Sequence, residues 1–275
     1  MTNIVLYVVL PCNIFSAFHK GITPDMLKQC AVVLLAAFGM QLLYIIINRF
    51  VYARIAPGRR VVLQYATIVN NAAFMGLPVI GAVFGPTGVL YGSIALIPMR
   101  VFTWTAGLSL FTNMEKKQSI KVLATHPCIW AVILGFAYIF VPFELPSFLS
   151  EAISLVSAST TMLPMFVVGS ILSTVSPREA LDKDCFYYSL FRLIIIPTIM
   201  FGALTLLRVD PLAKGVVVLS SAMPGSTTTA MLAEKYGQDS VFGARVVIVS
   251  TILSIVTLPV ITEVMARLGV GGGAG

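Results

Sequence analysis

The stretch Asn70-Asn71-Ala72-Ala73-Phe74-Met75-Gly76-Leu77-Pro78 interrupts an apolar segment that is long enough to span a lipid bilayer. A second interruption, Ala222-Met223-Pro224-Gly225-Ser226-Thr227-Thr228-Thr229, lies inside another such segment. Proline removes a backbone donor and glycine loosens a helix, so both breaks free backbone N–H and C=O groups at a depth where water is absent. We therefore expect each break to be buried in protein or to line a polar cavity.

The composition of the chain is that of a polytopic membrane protein. Hydrophobic residues make up 58% of the 275 residues and charged residues 11%, whereas soluble proteins contain about 25% charged residues. Because each crossing needs about 20 apolar residues, this length predicts an all-α helical bundle of about nine transmembrane helices, surrounded by the lipid bilayer. The predicted spans are 3–18, 28–48, 61–84, 88–111, 127–143, 147–173, 186–207, 213–233 and 240–266.

The net charge of +7 comes mainly from lysines and arginines in the loops between spans. This placement is typical of membrane orientation, so we do not predict a nucleic-acid partner. The face predicted to be cytoplasmic carries the larger basic set: Arg49, Arg54, Arg59, Arg60, Lys116, Lys117, Lys121, Arg178, Lys183, Lys235 and Arg245. The sequence therefore predicts a multi-pass protein of the cell (plasma or inner) membrane, with residue 1 in the cytoplasm and the C-terminus outside.

The two halves of the sequence resemble each other. Leu10-Pro11 in the first span matches Leu163-Pro164 in the sixth, and Gly76-Leu77-Pro78 in the third span matches Met223-Pro224-Gly225 in the eighth. The matching spans are five apart, an odd number, so the second copy is inverted in the membrane, as in many secondary transporters. The predicted repeats are residues 1–111 and 112–268, followed by a disordered glycine-rich tail, 269–275. The fifth span lacks a partner, which predicts that a first helix is missing.

These motifs carry a resemblance to a known family. Asn70-Asn71-x-x-Phe74-x-Gly76-Leu77-Pro78, the early Leu10-Pro11, and Met223-Pro224 followed by Ala233-Glu234-Lys235-Tyr236-Gly237 resemble the auxin efflux carrier family, whose prokaryotic members include proposed malate and malonate permeases. The resemblance covers essentially the whole chain. It implies ten helices in two inverted five-helix repeats, of which this chain would supply helices two to ten.

The resemblance also implies a mechanism and a site. A mobile transport half would move against a scaffold half, and the two broken helices would cross at Pro78 and Pro224. The binding asparagine of the family maps onto Asn70 or Asn71. At the second break some relatives carry an asparagine, whereas this chain has Gly225-Ser226-Thr227.

The candidate substrate-binding residues are polar groups inside spans, or residues that free backbone groups there. They are Asn70, Asn71, Gly76, Pro78, Arg100, Pro224, Gly225, Ser226, Thr227 and Thr228. Structural alternatives stay open, because buried amides also join helices, glycine and proline kink them, and hydroxyls cap a half-helix whose positive end favours anions.

Arg100 and Arg192 are the basic residues that lie well inside the predicted spans. A charge within a membrane is costly and indicates function by default. Arg100 is predicted to face substrate or to bond the carbonyl groups of a broken helix. Arg192, which lies near Pro197, is assigned to the second, structural role.

The ionisable residues favour an anionic cargo. No aspartate or glutamate lies at the centre of a span, which disfavours proton coupling through a carboxylate, and the interior donors are arginines, amides and hydroxyls. Enzyme and nucleotide-binding motifs are absent from the sequence, so we predict no catalytic residue, metal or cofactor. The prediction is a secondary transporter for a small organic anion, in particular a carboxylate.

Two alternatives remain at this stage. One is a sodium-coupled organic anion symporter, with oxygens from Ser157, Ser159, Thr160 and Thr161 near Pro164. The other is a membrane sensor or structural subunit that keeps the fold without moving cargo. Substrate identity, transport direction and oligomeric state are not predicted, and a homodimer is one of the alternatives.

Overall fold

The computed structural model of this protein describes residues 2–17, 27–112, 127–138, 145–159, 166 and 182–270. Within these ranges the regular structure is helical, and the one β-type pairing is an isolated bridge between Asn70 and Gly225. The all-α class predicted from composition is therefore confirmed.

Thirteen α-helical segments and four π-helical turns make up the described chain. The α-helices are α1 (Thr2–Ile4), α2 (Leu10–Ala17), α3 (Leu27–Val51), α4 (Pro57–Ile68), α5 (Leu77–Phe102), α6 (Leu108–Phe111), α7 (Pro127–Tyr138), α8 (Ser147–Ala158), α9 (Lys183–Leu190), α10 (Ile196–Leu206), α11 (Pro211–Ser221), α12 (Thr228–Lys235) and α13 (Ser240–Arg267). The π turns are π1 (Val5–Val9), π2 (Ala72–Gly76), π3 (Thr103–Gly107) and π4 (Phe191–Ile195).

Four continuous helical stretches are long and apolar enough to cross a membrane. They are Lys28–Val51, Leu90–Phe111, Lys183–Leu206 and Ser240–Arg267. Each corresponds to a predicted span. Gly85, at φ 67°, bends the chain inside α5 and separates the third predicted span from the fourth; glycine adopts this left-handed conformation without strain.

Prolines inside the helical segments explain three of the π turns. Pro11, Pro78 and Pro197 each stand two residues after a π turn ends, at Val9, Gly76 and Ile195. Proline has no N–H to donate to the preceding turn and its ring crowds the carbonyl there. The wider π turn absorbs that defect without ending the helix.

The described helices pack as two groups. The small group contains α1, π1, α2, α7 and α8, and the large group contains all the others. Among the described residues, the groups meet where α7, with its buried Ala131, packs against α5 and π3, and where Lys235 reaches Asn3 and Tyr7 in the N-terminal segment. The large group holds both breaks that the sequence indicated.

The sixth predicted span is described in part. Helix α8 ends at Ala158, and the Ser159 hydroxyl donates to the Leu155 carbonyl at 3.5 Å. Thr160, Thr161 and Pro164, which the sequence placed at a break in this span, lie outside the described residues, as does the end of the glycine-rich tail, 271–275.

Candidate functional site

The two broken helices cross each other through their non-helical segments. Helix α4 ends at Ile68 and α11 ends at Ser221, and the chains that follow run antiparallel at the bridge between Asn70 and Gly225. On one side of the bridge the Asn71 amide donates to the Pro224 carbonyl at 2.8 Å, and on the other the Ser226 amide donates to the Val69 carbonyl at 3.3 Å. Each break thus supplies the hydrogen-bond partners that the other has lost.

Side chains from a neighbouring helix satisfy the last carbonyls of α4. In an unbroken helix the Ala66 and Thr67 carbonyls would accept from amides four residues further along. Here the Tyr188 hydroxyl donates to the Ala66 carbonyl at 2.9 Å, and Arg192 Nη1 donates to the Thr67 carbonyl at 2.8 Å. Both donors are buried, so buried side chains cap the end of α4.

The second break is satisfied in the same way. Asn70 Nδ2 donates to the Ser220 carbonyl at 2.6 Å, and Arg192 Nε donates to the Met223 carbonyl at 3.0 Å. The Gly225 amide donates to Ser250 Oγ on α13 at 3.2 Å. The hydrogen-bond network of the crossover therefore includes both breaks and two further helices, while the buried Asn71 Oδ1 and Arg192 Nη2 have no partner in the described structure.

A cavity of about 50 Å³ lies beside the crossing point. A single water needs roughly 10–15 Å³ on this measure, so the cavity has room for a few waters or a small polar group. Its lining comes from both breaks and from the stretch around the end of α5: Val69, Asn70, Ala73, Phe74, Met99, Arg100, Thr103, Trp104, Ser226 and Thr228.

The polar part of the lining contains one cation among several neutral groups. Arg100 is 8% exposed and is the one charged side chain among the described lining residues. The Tyr65 hydroxyl donates to Thr228 Oγ1 at 3.2 Å, and Thr228 Oγ1 donates to Ser226 Oγ at 3.0 Å. Because Thr228 begins α12, this hydroxyl chain sits where the positive end of the helix dipole meets the cavity.

The structure brings four of the predicted site residues to the cavity: Asn70, Arg100, Ser226 and Thr228. The Asn70 side chain also serves the crossover, since its Oδ1 accepts from the Ala72 amide at 3.2 Å. Asn71 and Thr227 are buried next to these residues without being part of the described lining. Asn70 therefore has both roles that the sequence left open for the asparagines. Its amide joins the two broken segments, and its side chain also lines the cavity.

The glycines and prolines of the prediction shape the crossover rather than the cavity wall. Pro224 and Gly225 lie at the crossing itself. The absence of a side chain at Gly76 leaves room for Met223 of the second break, because a Cβ built at Gly76 would lie 3.1 Å from Met223 Cγ. Pro78 lies in the first turn of α5, so the first helix crosses at Asn70 and Asn71, before Pro78 and not at it. The carbonyls freed at the end of α4 set that position.

The sequence assigned Arg192 to a structural role, and its bonds to the Thr67 and Met223 carbonyls are of the expected kind. Sequence reasoning missed the cavity residues Thr103 and Trp104. They follow Arg100 at i+3 and i+4, the spacing that places side chains on one helix face. That spacing was the available signal.

The chain is similar to known membrane transport proteins. The family described as "Membrane transport protein" matches the chain in two stretches, residues 1–126 and 110–262. An uncharacterized transporter of Methanocaldococcus jannaschii is 25% identical over 94% of this chain and 86% of its own length. An uncharacterized transporter of Methanothermobacter thermautotrophicus is 25% identical over 96% of this chain and 88% of its own length.

The family match covers nearly the whole chain and both halves of the crossover. It confirms the transporter class and excludes the reading of the chain as an enzyme. The chain therefore belongs to the membrane transport protein family, which is the family of the auxin efflux carriers.

Proposed function

We propose that this protein is a secondary transporter that moves a small organic anion, in particular a carboxylate, through the cavity at the crossover. The observation that carries the proposal is the position of Arg100. It is a buried cation in a cavity that also borders the first turns of two half-helices, at Ala73 and at Thr228.

The chemistry of the lining favours an anion over a cation or a neutral molecule. A carboxylate that enters a membrane interior loses its water and must be met by fixed donors. Arg100 supplies a guanidinium, which matches a carboxylate with two parallel bonds. No carboxylate is found among the described lining residues, so nothing there would balance a cationic cargo. The positive ends of the two half-helices act in the same direction.

The position of the cavity supports a mechanism of alternating access. Helix α7 of the small group packs against π3 of the large group, and π3 carries the cavity residues Thr103 and Trp104. The cavity thus adjoins the boundary between the two groups. In the proposal the small group is the scaffold, and the large group carries the bound anion from one face of the membrane to the other.

The order of the elements supports the proposed inverted repeats. In the first half, α3 is followed by α4, a break and the start of α5; in the second, α9 and α10 are followed by α11, a break and α12. Residues 1–111 and 112–268 would then be the two copies, each with one broken helix.

The proposed orientation puts Arg59 and Lys235 at the cytoplasmic face of the cell membrane, together with residue 1. Arg59 pairs with Asp182 and Asp184 at 2.9 Å and lies over the Phe242 ring, which brings the starts of α4, α9 and α13 to one end of the large group. Lys235 contacts Asn3 at 3.4 Å, so the N-terminal segment lies at an end that also carries a basic residue. The excess of basic residues favours the cytoplasm for that end.

Uptake into proteoliposomes tests the proposal. We expect the purified protein to take up at least one radiolabelled carboxylate from a panel of acetate, malonate, malate and phenylacetate. Arg100→Gln should lower that uptake by about tenfold or more, because a bond to a charged group is worth about 1.5–3 kcal/mol. Arg54→Gln is the matched control, since Arg54 is exposed in the loop after α3, and it should transport normally.

Three other results would redirect the proposal. Uptake that needs sodium would favour the sodium-coupled symporter. Lack of uptake of every carboxylate by a folded protein would favour a sensor or structural subunit. Equal uptake by the wild type and Arg100→Gln would place the anion elsewhere.

A further inference from the structure

Arg192 is the one side chain in the described structure that hydrogen-bonds a carbonyl from each break. It is 0% exposed and lies in π4. Its Nη1 donates to the Thr67 carbonyl at 2.8 Å and its Nε donates to the Met223 carbonyl at 3.0 Å. Its guanidinium carbon lies 4.7 Å from the centre of the Tyr44 ring, within the range of a cation–π contact. A rigid fork of donors therefore sets the distance between the two broken chains.

The charges at the crossover divide between two sides. Helices α4 and α11 end there, and each C-terminus carries about half a negative charge, or about −1 for the two. The helices that follow, π2 with α5 and α12, begin there with positive ends of similar size. Ala73, Phe74 and Thr228, from those first turns, line the cavity, whereas Thr67 and Met223 face Arg192.

The single charge of Arg192 is about equal and opposite to the sum of the two C-terminal ends. With Arg192 in place the negative ends are compensated, and the positive ends are left to act on the cavity together with Arg100. Without it, the negative ends of α4 and α11 would lie close behind the cavity and oppose the binding of an anion. Arg192 itself is not among the described lining residues, so it acts on the cavity through the backbone.

We propose that Arg192 is a positioning residue of the anion site: it holds the two broken helices in register and cancels the negative ends of both, which makes the cavity selective for anions without touching the cargo. This selectivity rests on the function proposed above. The clamping of the two breaks does not.

Hydrogen exchange distinguishes the proposed clamp, in which Arg192 holds the two breaks together, from a general contribution of Arg192 to stability. Amides of Asn71 and Ser226 cross the two breaks, so peptides that cover 66–76 and 222–230 report on the crossover. We expect Arg192→Gln to speed exchange in both peptides by about tenfold or more, while α13 beyond Ser254 keeps its rate. Arg192→Lys keeps the charge but not the fork, and should fall between the wild type and Arg192→Gln.

Tyr188→Phe is the matched control, because it removes a buried hydrogen bond to one break and no charge. The Tyr188 hydroxyl bonds the Ala66 carbonyl of the first break, so Tyr188→Phe should speed exchange in peptide 66–76 alone. Unchanged exchange in both peptides of Arg192→Gln would overturn the clamp. A uniform rise along the whole chain would overturn it too, since Arg192 would then serve overall stability.

Transport kinetics test whether the positive charge of Arg192 favours anion binding in the cavity. Per folded molecule, Arg192→Gln should raise the apparent KM for the best carboxylate of the panel by about tenfold. Arg192→Lys, which keeps the charge, should bring the KM back most of the way to the wild-type value. Tyr188→Phe should leave the KM near the wild-type value. An unchanged KM in Arg192→Gln would refute the electrostatic role. If the wild type moves no carboxylate, the proposed function fails, and the exchange measurements still decide the clamp.

Discussion

Asn70 and Gly225 pair as an antiparallel bridge in the middle of two helices that would otherwise be continuous. The pairing lets two breaks exchange backbone partners, with the Asn71 amide on the Pro224 carbonyl and the Ser226 amide on the Val69 carbonyl. A lone break at this depth would leave those groups unsatisfied, at a cost of several kcal/mol for each. The two breaks therefore stabilise each other, and we expect a substitution at one break to weaken the hydrogen bonds of the other.

The two adjacent asparagines should respond differently to replacement by alanine. Asn70→Ala removes the donor to the Ser220 carbonyl and the acceptor of the Ala72 amide. Leaving such buried groups without partners should lower the free energy of unfolding by about 1–3 kcal/mol, and carboxylate uptake should fall because Asn70 lines the cavity. Asn71→Ala should have a smaller effect on both, since Asn71 Oδ1 has no hydrogen-bond partner in the described structure. Thermal unfolding in detergent measures the stability of the two variants, and proteoliposomes measure their carboxylate uptake. Equal effects would contradict this assignment.

Glycine at position 225 is predicted to be required for space. A Cβ there would lie 3.1 Å from the Tyr188 hydroxyl, so that hydroxyl, which donates to the Ala66 carbonyl, would have to shift by a few tenths of an ångström. We expect Gly225→Ala to destabilise the protein by about 1–3 kcal/mol. The control is Gly202→Ala in α10, where a Cβ meets nothing within 4 Å; this change should be neutral or stabilising by about 0.4–1 kcal/mol. Equal melting temperatures for Gly225→Ala and Gly202→Ala would contradict the requirement for glycine at position 225.

Transport should stop when the two packing groups are joined. Lys235 on the large group contacts Asn3 on the small group. In a variant without the native cysteines, Asn3→Cys with Lys235→Cys should be linked by a short reducible reagent, uptake should be lost, and reduction should restore it. The control pair is Arg59→Cys with Asp184→Cys, which replaces a contact inside the large group. Linking that pair should leave uptake intact; continued uptake by the linked Asn3–Lys235 pair would argue against relative movement of the groups.

The orientation of the chain can be read from the side on which cysteines react. Arg54→Cys, in the loop after α3, should react with a membrane-impermeant maleimide from the cytoplasmic side. Thr87→Cys, next to the bend at Gly85, should react from the outside. The reverse pattern would overturn the orientation drawn from the lysine and arginine distribution. Labelling of intact cells and of inverted vesicles distinguishes the two.

The class of the fold was open to prediction because it depends on local properties of the chain. The length of the apolar segments, the turn at Gly85 and the two broken segments all follow from hydropathy and from the absence of a donor on proline. The role of Arg192 was predicted for a similar reason, since a charge in a membrane needs nearby acceptors and a broken helix offers free carbonyls.

The sequence by itself thus determined that the chain is an all-α membrane protein with two breaks and few interior charges. Tertiary structure alone decided that the helices cross at Asn70 and Gly225 rather than at Pro78, that Asn70 and not Asn71 lines the cavity, and that the Tyr65 hydroxyl bonds Thr228. The physical reason is that a freed backbone group takes whichever partner lies within hydrogen-bond distance in space. That partner belongs to the other half of the chain, and no local pattern specifies it.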